Sequence, residues 1–243
     1  MRNLMYEFIR EDQPDVVDKS QHADWNAIAT VISSKAKLIA ALILNELGLL
    51  EKDWDAQPEF FLDYWHTRTV IAGGLLHCMN RFALPYAGTE FREQLHDYVA
   101  SEAVKQMVDE DWAKDAKSHS DPEGWLQEGY DETLYNVVTI EGQLIGCETI
   151  GDTDTKGDVF NGNPHQRGTV FGELAWYLCQ NLGFGSDIEF PELAPQPRGL
   201  PVMIEEGGLA RMIVYTAIKE VWFSDLRLSD VVKSAADSWR SHS

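Results

Sequence analysis

The sequence predicts a mainly α protein: a multi-helix body with one small β-hairpin near the middle, α+β by strict count. Three observations carry this. Apolar residues recur at helical spacing over long stretches, and capping residues, glycines and prolines punctuate those stretches. One short region then changes toward the β-branched composition of strands.

Taken in order, the first twenty or so residues hold many acids around Leu4, Met5, Phe8 and Ile9, which reads as a short helix or docked arm. Asp24 is a good N-cap for WNAIATVISSKAKLIAALILNELG, a core helix stopped by Gly48. Pro58 suits the first turn of a second helix, which runs to about Phe82. Gly73 and Gly74 lie inside it, and each weakens a helix by about 1 kcal/mol relative to Ala, so a close contact, a kink or a break is expected there. After Pro85 and Gly88, Thr89 caps a third helix with the inward stripe Phe91, Leu95, Tyr98, Val99, Ala103 and Met107.

Residues 118–131 are polar, with Pro122, Gly124 and Gly129, and read as a loop. LYNVVTI and QLIGCETI flank EGQ and supply the expected hairpin. The loop GDTDTKGDVFNGNPHQRG follows, and Thr169 caps VFGELAWYLCQNLG. A proline-rich connector precedes two last helices, EEGGLARMIVYTAIKEVWF and a shorter one from Ser229 through Trp239. The expected organisation is one domain, 1–243, with 1–22 as a docked arm and 184–203 as an extended connector.

Composition narrows function. The 243 residues include 40 Asp and Glu against 20 Lys and Arg, a net charge of −20. Direct binding to a nucleic-acid backbone or an anionic membrane needs clustered bases and is opposed. The longest apolar run, Leu38 to Leu44, is short against the roughly 20 residues of a bilayer span. The opening residues do not have the pattern of a signal peptide. Cys78, Cys147 and Cys179 form an odd set without a CxxC, so a reduced, cytoplasmic setting is expected. The acidity then serves either a basic partner or solubility and a salty cytoplasm.

Few constellations point to chemistry. Asp152, Asp154 and Gly157 echo a calcium loop, but Lys156 and Asn163 occupy positions that need ligands, and the P-loop pattern is absent. This loop is expected to connect two layers, with an exposed acidic contact as its only candidate role. There is no G-x-S-x-G elbow. Cys78 and Cys179 lie in apolar stripes, and Glu148 beside Cys147 dulls that thiol.

His66 and the adjacent pair His96-Asp97 fall on consecutive helices. That order resembles the metal-binding pattern of the HD phosphohydrolase superfamily over these three positions. It departs where Tyr98 and Val99 follow the pair and where REQL precedes it. The resemblance implies a divalent metal that activates water against a phosphate ester. The same residues admit a di-iron arrangement, since Asp63 and His66, and Glu93 and His96, are each one turn apart, with Glu46 as a further carboxylate.

The longest acid-biased region with interspersed aromatics holds Asp109, Glu110, Asp111, Trp112 and Asp115, then Trp125. Aromatic anchors within an electrostatic rim are what a partner-binding surface uses. The sequence therefore leads first to a non-enzymatic, cofactor-free interaction or inhibitor protein. It would bind a basic protein, such as a nucleic-acid-binding protein whose groove it blocks. A metal-dependent helical phosphohydrolase using His66, His96 and Asp97 is the alternative.

Overall fold

The computed structural model describes residues 19–46, 58–151, 170–182, Ala217 and 227–242. Among these the chain is helical, with no strand. The helices are α1 (Lys19–Glu46), α2 (Pro58–Asp111), the single turn α3 (Ala113–Ala116), α4 (Pro122–Gly151), α5 (Val170–Asn181) and α6 (Arg227–His242).

The loop 152–168, the connector 184–203 and residues 1–18 of the expected arm lie outside the described residues. So does the expected helix 205–223, except for the buried, helical Ala217.

Helix α2 is the centre of the body, with α1, α4, α5 and α6 packed against it. It has two arms joined at Gly88, whose φ of 83° and ψ of −172° are open to glycine and strained for other residues. Pro85 lies in the turn before that joint, and the two arms match the second and third helices read from the sequence. Gly73 marks a close contact on the first arm. A Cβ there would fall 2.9 Å from Ile140 Cγ2 and 3.0 Å from the Val137 carbonyl oxygen of α4.

The expected hairpin is instead the second half of α4. Its apolar residues bury at helical intervals, through Val137, Ile140, Leu144 and Cys147, while the β-branched Val138 and Thr139 between them are exposed. Leu126, Tyr130 and Thr133 continue that line toward the N-terminus, giving alternating steps of four and three. Such a seam holds one helix along another. Tertiary burial here overrides β propensity. The expected loop 118–131 also shrinks: Asp121 caps the helix by accepting a bond from the Gly124 N–H at 3.0 Å, and Pro122 takes the first turn.

An aromatic group ties α1 and α6 to the second arm of α2. Trp25 stacks on Trp239 at 6.1 Å and meets Phe91 and Tyr98 edge-on at 6.4 and 5.6 Å. Over Asp24–Asn45, α1 is long and apolar enough to cross a bilayer by length and composition. More than half of that window is buried inside the protein, with Ile28, Ile32, Ile39 and Ile43 in the core.

Candidate interaction surface and buried charge clusters

The acids at the end of α2 divide by what lies beside them. Arg68 is fully buried on the first arm, in the apolar run YWHTRTVIA. A guanidinium there must be paired, because a lone buried charge is very costly. It donates through Nη1 to Asp111 and through Nη2 to Glu110 Oε2 at 2.8 Å. Nη2 also reaches Ser33, with the carbonyl oxygen at 3.2 Å and Oγ at 3.0 Å. Lys37 of α1 adds a second cation to Glu110.

Burial pulls the Glu110 carboxyl up, but the bonds from Lys37 and Arg68 outweigh it and hold the group below the ordinary range. Asp111 sits deeper, and burial there wins over Arg68 and pushes it up. Asp111, expected at a partner interface, is therefore a largely buried counter-ion; Glu110 also pairs with Arg68 but stays exposed, as does Asp109. Asp115 lies in α3, with its side chain outside the described residues.

Trp112 and Trp125 face each other at 5.3 Å, and Trp112 meets Trp65 edge-on at the same distance. His119 covers Trp125 at 3.9 Å with nearly parallel rings. Gly129 of α4 abuts Trp112, where a Cβ would come within 2.8 Å of the ring. The two tryptophans thus fasten α4 to the end of α2 and are half-buried. They are not exposed anchors.

The histidines also separate. His66 is exposed on the first arm of α2, and His96 and Asp97 lie on the second arm. His96 Nδ1 is 3.1 Å from Asp97 Oδ1, and Nε2 is 3.7 Å from Glu141 Oε2 of α4. Asn80 Nδ2 donates to the other Glu141 oxygen at 2.8 Å. Among the described residues no three His, Cys, Asp or Glu side chains form a group that could hold a metal ion, so His66 is not brought together with His96 and Asp97. The side chains of Asp63 and Glu46 lie outside the described residues, and Glu93 is exposed.

Burial lowers the affinity of His96 for a proton, but Asp97 and Glu141 outweigh it and raise its pKa to about 9. Burial dominates at His77, which falls to about 4 despite Glu141, with Arg81 pushing the same way as burial. Glu141 is buried, yet the bonds to His96 and Asn80 keep it below the ordinary carboxyl value. The sequence reading noticed His96 but missed Glu141. A Glu placed on the inward line of α4 was the available signal, hidden by the strand assignment.

The clearest outward feature is on α4. Tyr135, Val138 and Ile145 are 63%, 37% and 47% exposed, on one side of the helix. Helix α4 carries Glu123, Glu128, Asp131, Glu132, Glu141 and Glu148 and has no Lys, Arg or His. Asp121 precedes it, also exposed. Comparison with protein-family models, curated proteins and solved structures gives no match for this chain.

Proposed function

We propose that the chain is a non-enzymatic interaction protein that binds a basic protein partner through its acidic surface, as an inhibitor that covers a basic groove would. The observation that carries this reading is the outer face of α4, where exposed apolar side chains sit among acids with no base on the helix. Further acids are exposed at Glu90, Glu93, Asp97 and Asp109 of α2 and at Asp230 and Asp237 of α6. A surface of one sign steers an oppositely charged partner and speeds encounter.

The centre of this surface is α4; in the 109–115 patch Asp111 is held inward by Arg68, and Glu110 is shared between Arg68 and Lys37. The test is binding of poly-lysine to the whole protein by calorimetry. Affinity is expected to fall steeply between about 0.05 and 0.5 M salt, over which screening shortens the reach of charge. Binding unchanged by salt would remove the electrostatic reading.

A further inference from the structure

Among the described helices, α4 packs on α2, α3 and α5, and its opposite side is open. That open side runs Glu128, Asp131, Tyr135, Val138, Gly142 and Ile145, acidic in the first half and apolar in the second. Gly142 and Gly146 lie one turn apart there. Neither has a positive φ, and among the described residues a Cβ on either would meet nothing within 4 Å. The described residues make no demand for glycine at these places, although glycine weakens a helix relative to alanine. What it provides is room for a second helix to come close, since the distance between helix axes depends on the side chains at the contact. Gly73 of α2 already gives α4 such room on its inner side.

Charge chooses the occupant. A second copy brings the same −20 and an α4 without a base. Segments 1–18, 47–57, 152–169 and 183–226 of the chain each hold more acids than bases, so none supplies a basic complement. The complement must come from another protein.

We propose that α4 is the seat of an amphipathic helix from a basic protein. The incoming helix lays an apolar stripe along Tyr135, Val138 and Ile145 and approaches closest at Gly142 and Gly146. Its Lys or Arg residues sit against Glu128, Asp131 and Glu132. This rests on the reading of the chain as an acidic interaction protein and adds the shape of what it binds: a helix laid along a helix, read at one-turn intervals.

The test uses the whole protein and two probes. One is a synthetic peptide of about 20 residues with leucines at helical spacing and lysines confined to one end; the other is poly-lysine. The peptide is expected to gain helicity on binding, by circular dichroism. The pair Val138→Asn/Ile145→Asn and the pair Gly142→Leu/Gly146→Leu are each expected to weaken the peptide roughly tenfold or more and to change poly-lysine binding less than about twofold. Glu128→Gln/Glu132→Gln weakens both probes. Thermal melts confirm that each variant folds, and the leucine pair, at exposed helical positions, is expected to melt no lower than the parent. Peptide binding unaffected by the asparagine and leucine pairs overturns the seat while salt-dependent poly-lysine binding preserves the broader reading. Failure of the parent to bind either probe overturns both.

Discussion

Arg68 shows how much one buried charge organises. Its guanidinium collects a carbonyl, a hydroxyl and two carboxylates from α1 and from the far end of α2. Arg68→Met is expected to lose about 3–5 kcal/mol of unfolding free energy in urea titrations, because the Asp111 carboxylate is left beside an apolar chain while Glu110 keeps only Lys37. Adding Glu110→Gln and Asp111→Leu is expected to restore most of it. The histidines predict a pH response of defined sign. His77 falls from its ordinary 6.5 to about 4, so its contribution is present above pH 6.5 and lost as pH falls toward 4. His96 rises from 6.5 to about 9, so its contribution is full below pH 6.5 and lost as pH rises through 9. Glu141, held low, adds to the loss below its ordinary 4.5. Unfolding free energies from urea titrations are expected to peak near pH 6.5 and to drop on both sides, each limb by about 1–3 kcal/mol. His96→Gln should flatten the alkaline limb and leave the acid limb in place. Of these groups the sequence offered the names but not the pairings. His66, His96 and Asp97 are in the order of a metal site, yet order along two arms does not fix which side chains meet. Arg68 in an apolar run was a legible demand for buried carboxylates.

At the scale of elements, glycine is the sharpest probe of packing. Gly73→Ala is expected to cost about 1–3 kcal/mol, since its Cβ would press on Ile140 and on the backbone of α4. Gly142→Ala is expected to stabilise by about 1 kcal/mol, because the same methyl meets open space on a helix. Urea unfolding of the two single variants checks the opposite signs. Most helices were legible because apolar spacing and punctuation agree, as at Gly88 between the arms of α2. Helix α4 was not, because local composition and long-range period disagree in it. Val137, Val138, Thr139 and Ile140 favour a strand when read together, and Glu141-Gly142-Gln143 favours a turn. The steps from Leu126 to Cys147 favour a helix only when read across the whole element. Asp121-Pro122 was the local clue, an N-cap followed by a proline in the first turn.

For the molecule as a whole, the charge of −20 acts on folding and binding in opposite ways as salt rises. Self-repulsion opposes the compact state, so the melting temperature is expected to increase between about 0.05 and 0.5 M sodium chloride while poly-lysine affinity falls. Scanning calorimetry beside the binding titration checks both trends on one sample. Composition made this sign of charge plain, but not which acids are outward. Only the fold separates Asp111, which faces the buried Arg68, from Asp109, which is exposed, with Glu110 paired to Arg68 yet exposed between them. That separation also bears on synthesis. Glu110 and Asp111 follow Arg68 by 42 and 43 residues, so at typical elongation speeds they leave the ribosome roughly 2–8 s after it. Until then the guanidinium keeps its water, and α1 with the first arm of α2 has no finished interior to close upon. The nascent chain is therefore expected to commit its core only once the end of α2 has emerged.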